Sequence, residues 1–227
     1  MGVTAFIPAK MTSRRLPGKN MLVLCGHPVL YYSIRAAQLA DGVSEIVVSS
    51  EDPAVLAYAA EQGATPHMRD PGLSRPETST AEVLRDWYNN CARRAEIVAL
   101  LQPTHPLRDP DDLSRSIRIM YDNPDADCIF TVCAFRDFIG TVSDGIFTSD
   151  FVPFPNRPTP ERFKVTGSLY IFRPERTFLT EYPFGQCIRA FEQSRPELEV
   201  DIDYPHDFAY AEAILKSNPD ILARYER

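Results

Sequence analysis

Val3-Thr4-Ala5-Phe6-Ile7-Pro8-Ala9-Lys10-Met11-Thr12-Ser13-Arg14-Arg15-Leu16-Pro17-Gly18-Lys19-Asn20 is the stretch that decides the fold. Residues 3–7 form a short, largely apolar run of strand length, the pattern of a strand covered on both faces. Pro8 ends the run, and Pro17-Gly18 bounds a polar loop behind it. Pro28 then opens a helix that carries Leu30, Ile34 and Ala37 on one face. A doubly buried strand, a loop and an amphipathic helix together read as the start of a βαβ unit.

The same alternation continues along the chain. Residues 45–49 read as a strand, and Pro53 leads a helix to Gln62. Residues 80–93 read as a helix and 97–101 as a buried strand. Asp109-Pro110 starts a helix reaching the neighbourhood of Asn123. Residues 128–132, 167–172 and 198–203 read as strands, and Pro205 opens a closing helix. The spacing predicts an α/β fold, a mostly parallel sheet with helices on both faces, in a single domain spanning 1–227. Regularity breaks over 136–163, where Gly140, Gly145 and a proline-studded stretch at 153–160 predict a hairpin excursion, a lid or a dimer arm.

Composition narrows the class. With 227 residues, 44% hydrophobic and 24% charged, the chain can bury a core of its own. No apolar run approaches the roughly 20 residues of a membrane span, and the first residues lack the pattern of a secretory signal. The five cysteines, with no C-x-x-C spacing, suit reduced thiols and a cytoplasmic setting. The four histidines are scattered and show no metal-ligand spacing, which disfavours a histidine zinc site. A net charge of −7 disfavours nonspecific nucleic-acid binding. The distribution says more than the sum. Before Asp41, the first acid, stand Lys10, Arg14, Arg15, Lys19 and Arg35, whereas the remaining 19 basic against 31 acidic side chains leave −12. A carboxylate-free basic segment in an acidic protein suits a polyanion.

In open α/β sheets ligands bind beyond the carboxyl ends of the strands. The loop after the first strand offers Lys10, Arg14, Arg15 and Lys19, with Thr12, Ser13 and Asn20 as short hydrogen-bonding groups. Convergent donors of this kind suit a triphosphate. The loop is not a Walker A motif, and a solvated basic turn has the same composition. A second constellation is Leu198-Glu199-Val200-Asp201-Ile202-Asp203. In a strand, Asp201 and Asp203 would face one way with Cα atoms about 6.6 Å apart. Two carboxylates so placed can share a hard cation that also takes phosphate oxygens and water, as magnesium does. Asp207 follows in the first turn of the closing helix, where an acid complements the helix dipole. A third is Leu101-Gln102-Pro103-Thr104-His105-Pro106-Leu107-Arg108. Gln102 carries donor and acceptor and suits a base edge. Arg108 suits a phosphate or a substrate carboxylate, or else pairs with Asp111 or Asp112. Trp87, Tyr31, Tyr32 and Tyr88 lie on helices and read as packing residues rather than a stacking platform.

The order of these motifs resembles the acylneuraminate cytidylyltransferase family, the CMP-sialic acid synthetases and related CMP-sugar-acid synthetases. The resemblance rests on I-P-A-K-x-x-S-R-R-L-P-G-K-N at 7–20, S-S-E-D at 49–52, L-L-Q-P-T-H-P-L-R at 100–108, T-G-S-L-Y at 166–170 and D-I-D at 201–203. It implies a Rossmann-like fold with a small dimerisation excursion, a homodimer, and transfer of CMP from CTP to an acidic acceptor with release of pyrophosphate. By the same resemblance Lys10, Ser13, Arg14 and Lys19 contact the CTP phosphates. Asn20 sits at the base of their loop, and Thr78, Ser79 and Thr80 lie near the cytosine. Gln102, Lys164, Thr166 and Gly167, together with Arg108 as a possible carboxylate partner, line the acceptor pocket. Asp201 and Asp203 bind Mg2+ and, with Lys19, form the catalytic set. The proton acceptor is either a metal-bound hydroxide or an aspartate of the pair. The chain departs from the sialic pattern at Lys10, Lys164 and Thr166, where arginine, arginine and asparagine are usual. The acceptor class is therefore sialic or a related nonulosonic acid, with Kdo or a small phosphonate as the alternative. A noncatalytic nucleotide-binding relative is the remaining reading.

Overall fold

The structure, a computed structural model, describes residues 2–92, 94–135, 139–149, 161–193, 195 and 198–226. β1 (Val3–Pro8) is followed by the short strands β2 (Val23–Leu24) and β3 (His27–Pro28), then α1 (Val29–Leu39). Next come β4 (Val43–Ser50), α2 (Pro53–Glu61), β5 (Thr65–Met68), α3 (Thr80–Asn90), β6 (Ile97–Leu100) and α4 (Pro110–Asp122). β7 (Cys128–Phe135), β8 (Gly140–Ser143), β9 (Ile146–Ser149), β10 (Arg162–Phe172) and β11 (Ile188–Glu192) precede α5 (Pro205–Ser217) and α6 (Pro219–Tyr225).

The helices start where side chains satisfy their free N–H groups. Asp52 accepts from Ala54 and Val55, Asp109 accepts from Asp111, and Ser79 and Glu82 close a capping box. Asp207, expected only to complement the dipole of α5, also accepts from the Asp203 and Tyr204 backbone N–H groups. α3 stops at Asn90, short of the expected 93, a position outside the described residues.

The main sheet has seven strands in the order β11-β7-β10-β6-β1-β4-β5. β1 pairs in parallel with β4 and β6, β4 with β5, and β7 with β11; β10 runs antiparallel to both β6 and β7. Helices cover both faces. Val3, Ala5 and Ile7 pack with Leu30, Ile34, Val55, Leu113 and Ile117, while Phe6, Val98 and Leu100 on the opposite face meet Val83, Leu84, Trp87 and Tyr88. Each fully buried aliphatic side chain here contributes about 2 kcal/mol. A further cluster joins Tyr31 and Tyr32 to Leu198, Val200, Ile202, Leu215 and Tyr225. The aromatics thus pack in the core, as their helical placement predicted. Among the described residues all cysteines are free thiols.

Several elements differ from expectation. Residues 198–203 are not a strand, although Leu198, Val200 and Ile202 are buried. The Ile202 N–H bonds Thr104 O at 2.7 Å, and that of Asp203 bonds the Asp207 carboxylate at 3.0 Å, so no ladder forms. The edge strands β5 and β11 were not anticipated; β5 reads Thr-Pro-His-Met, with no apolar run to announce it. Within the expected excursion, β8 and β9 form a two-stranded hairpin. Its loop is Asp144-Gly145, at φ 52° and 78°, the left-handed pair of a tight hairpin turn. Residues 136–138 and 150–160, which complete the excursion, lie outside the described residues.

Candidate active site at the carboxyl edge of the sheet

Because β1, β4, β5 and β6 run in parallel, the loops after them leave from one edge. These loops carry Lys10 to Asn20, Glu51, Arg69 and Gln102 to Thr104 respectively. The loops after β1, β5 and β6, together with Asp201 and Asp203, line a cleft of about 340 Å³, whose walls include Lys10, Arg15, Lys19, Asn20, Arg69, Thr78, Thr80, Gln102 and Thr104.

The basic loop is held rigidly. Gly18, at φ 68°, takes the left-handed turn that leads into the single 3₁₀ turn Lys19–Met21. Asn20 donates to Lys10 O at 2.8 Å, the Met11 N–H to Glu51 at 2.9 Å, and the Thr12 hydroxyl to Ser74 O at 2.6 Å. Lys19 is almost buried; its Nζ donates to Ile202 O at 2.7 Å and to Asp203 Oδ1 at 2.8 Å. Arg15 reaches the other oxygen of Asp203 at 2.8 Å and lies over the Tyr204 ring. Burial, then the nearby Arg69 and Lys19 cations, push the Lys10 ammonium below the usual lysine range. A cation destabilised in this way gains from an incoming anion.

Arg69 lines the cleft without having been singled out by sequence reasoning; Arg15, one of the four cations of the basic loop, lines it too, although the resemblance gave it no contact. Arg69 is 3% exposed; it donates to Ser49 O at 2.7 Å, lies 4.0 Å from Glu51, and its Nε has no hydrogen-bond partner. The buried Asn20 Oδ1 is likewise unpartnered. Two orphaned polar atoms in one cleft mark where a polar ligand would repay burial. No sequence signal marked Arg69, because β5, the strand it follows, has no apolar run to announce it.

Other predicted residues are placed differently. Ser13 accepts the Leu16 N–H at 3.4 Å, and Arg14 is exposed; neither lines the cleft. Ser79 is committed to capping α3, whereas Thr78 and Thr80 beside it do line the wall. Arg108 corrects the expectation most clearly. It is 1% exposed and donates to Ser168 O, Ser33 Oγ and Gln102 O at 2.7, 3.0 and 3.0 Å. It ties loop to core and is presented neither to a ligand nor to Asp111 or Asp112. Asp109 pairs instead with Arg195 and Arg224. Lys164 lies 3.1 Å from Glu199. Thr166 and Gly167 occupy a break in β10, where register with β7 is lost between Val165 and Tyr170. These three stand beyond the lining of the cleft; Thr166 O lies 2.9 Å from His105 Nε2.

Asp201 and Asp203 both line the cleft although their segment is not a strand. Asp203 is held by Lys19 and Arg15, while Asp201 is 51% exposed, its nearest cation-forming neighbour being His105 at 3.9 Å. Among the described residues no three carboxylate, histidine or cysteine side chains cluster as a self-contained metal site. Two carboxylates beside a basic loop do fit a magnesium ion, which takes few protein ligands and completes its shell with other oxygen donors and water. A second cleft, about 570 Å³ and lined by Thr4, Ser44, Glu45, Arg94 and Glu96, opens at the other end of β1. Its carboxylates oppose phosphate, and Arg94 pairs with Glu175.

The fold and the cation-lined cleft define a nucleotide-binding α/β protein. A family model described as "Cytidylyltransferase" matches residues 4–226, and the chain belongs to that family. It is 26% identical to a CMP-N,N'-diacetyllegionaminic acid synthase of Legionella pneumophila, over 98% of this chain and 100% of the relative. It is 28% identical to an N-acylneuraminate cytidylyltransferase of Streptococcus agalactiae over 90% of this chain, spanning 51% of that relative's length. A solved CMP:2-keto-3-deoxy-manno-octonic acid synthetase, complexed with CTP, shares the fold at a TM-score of 0.73 and 19% identity, over 96% of this chain and 100% of that one. Among the described residues no helix is long and apolar enough to cross a membrane.

Proposed function

We propose that this protein transfers CMP from CTP to a hydroxyl of a nonulosonic acid, in the manner of a CMP-sialic or CMP-legionaminic acid synthetase, with magnesium. The observation that carries the reading is the convergence of Lys10, Arg15, Lys19 and Arg69 with Asp201 and Asp203 on one cleft at the carboxyl edge of the sheet. The names of the relatives supply the acceptor class.

The acceptor oxygen attacks the α-phosphorus, a new P–O bond forms, and the bond to pyrophosphate breaks. Charge grows on the leaving group, and positioned cations lower the barrier. Lys10 and Lys19 sit where they would meet that charge. Lys19 would exchange part of its bond to Asp203 for a phosphate oxygen. Arg69 and Asn20 offer their unpartnered atoms to the nucleotide. Asp201 and Asp203 would hold magnesium, which when bound neutralises phosphate oxygens. The five free thiols and the need for CTP favour a cytoplasmic setting. A homodimer fits the hairpin, where Val142, Ile146 and Phe147 are more than half exposed.

The test is pyrophosphate release from CTP and magnesium with a panel of acids: sialic, legionaminic, pseudaminic, Kdo and phosphonoformate. Release with a nonulosonic acid, lost in Asp201→Ala, is expected. Release only with Kdo or phosphonoformate would overturn the acceptor assignment, and silence with the whole panel would overturn the transfer reading.

A further inference from the structure

Glu51 follows β4 directly, in the S-S-E-D stretch at 49–52, and does not itself line the cleft. Two segments that do line it meet on its carboxylate. Oε1 accepts the Met11 N–H at 2.9 Å, and Oε2 accepts the Ser74 hydroxyl at 2.6 Å. The Thr12 hydroxyl in turn donates to Ser74 O at 2.6 Å. These bonds close a ring that runs from Glu51 through Met11 and Thr12 to Ser74 and back. Lys10, next to Met11, and Arg69, on the same segment as Ser74, both line the cleft. Arg69 Nε lies 4.0 Å from Glu51 Oε2, beyond hydrogen-bond reach, so the two short bonds carry the geometry.

The mount of this carboxylate is itself fixed. On one side Ser50 O accepts the Arg69 N–H at 3.1 Å, and the Ser50 hydroxyl accepts the Asp52 N–H at 3.1 Å. On the other side Asp52 caps α2. The Glu51 side chain is 12% exposed and Ser74 is buried, so little water competes for either bond. A carboxylate suits the place because both of its oxygens accept: one takes a backbone N–H and the other a hydroxyl. Among the described residues, its side-chain bonds run to these two segments and not to the loop that carries Gln102 and Thr104.

We propose that Glu51 is a positioning residue for the nucleotide: its carboxylate fixes the basic loop against the segment that carries Arg69, so that Lys10 and Arg69 are presented to the nucleotide together. The proposal rests on the reading above that CTP binds in this cleft. Glu51 touches no substrate and takes no part in the chemistry. It acts through the backbone of Met11 and the hydroxyl of Ser74.

The test is calorimetric titration of CTP with magnesium, at a temperature where circular dichroism shows each variant folded, beside steady-state kinetics with the acid that the native protein turns over. Glu51→Ala is expected to raise the CTP Kd and KM about tenfold or more and to leave the acceptor KM within about twofold. Glu51→Gln keeps a carbonyl for the Met11 N–H and an amide that donates to the Ser74 hydroxyl, and is expected to recover most of the loss. Glu51→Asp keeps the charge but is one methylene short, and is expected to behave like Glu51→Ala. An unchanged CTP Kd in Glu51→Ala would make the residue merely structural and overturn the proposal. So would an acceptor KM that rises in step with the CTP KM, or an Asp variant closer to the native protein than the Gln variant, which would mean that charge alone acts. Should Glu51→Ala fail to fold, the comparison of Gln with Asp carries the test. If the native protein binds CTP but turns over no acid, the transfer reading fails while calorimetry still decides this proposal; if it binds no CTP, both fall.

Discussion

At the scale of single residues, burial decides what a charge is for. Lys10 and Arg108 are both cations in motifs that suit anion binding, yet one lines the cleft and the other is sealed in the core. Arg108→Met would leave Ser168 O and Gln102 O without their donor, since both accept from it. We expect a loss of about 3 kcal/mol or more in chemical denaturation, with the CTP Kd of the folded fraction unchanged. Lys10 predicts a pH dependence. Its ammonium is held below the ordinary range by burial and by Arg69 and Lys19. Phosphate binds the protonated form, so CTP affinity should hold at lower pH and fall as pH rises through that depressed value. Lys10→Arg should remove this alkaline limb in calorimetric titrations at several pH values, because arginine stays charged. Sequence distinguished neither fate, since both are cations in loops that follow a buried strand; the depth of each side chain comes from the fold.

At the scale of elements, the alternation of apolar residues reported burial more faithfully than hydrogen bonding. Residues 3–7 and 97–101 read as doubly buried strands, and β1 and β6 lie inside the sheet. Residues 198–203 alternate instead, with Leu198, Val200 and Ile202 buried, but the Ile202 and Asp203 N–H groups bond Thr104 and Asp207 rather than a neighbouring strand. The cleft carboxylates were legible because a buried alternating segment turns its polar residues together in either case. β5 and β11 were not legible, because edge strands carry weaker apolar patterning. The Asp144-Gly145 pair was a hairpin signal that the sequence did contain. The capping residues separate structure from function. Ser79→Ala should cost about 1 kcal/mol of stability by loss of the α3 cap. It should leave CTP binding intact, whereas Thr78→Val and Thr80→Val in the adjoining wall should weaken it.

At the scale of the whole molecule, the parallel order of β6, β1, β4 and β5 brings four sequence-distant loops to one edge. The β8–β9 hairpin stands apart from that sheet and exposes Val142, Ile146 and Phe147. If it joins two copies, Val142→Glu combined with Phe147→Glu should halve the mass measured by light scattering on a sizing column. An unchanged mass would remove the hairpin from the interface. The central claim is that nucleotide binds at the carboxyl edge of the sheet, in the cleft lined by Lys19 and Arg69. The measurement that tests it most directly is calorimetric titration of CTP with magnesium into the native chain, Lys19→Ala, Arg69→Ala and, for the opposite cleft, Arg94→Ala. The account predicts binding to the native chain and to Arg94→Ala, with losses of about tenfold or more in Lys19→Ala and Arg69→Ala. Undiminished binding in both of the latter, with binding lost in Arg94→Ala, would contradict it.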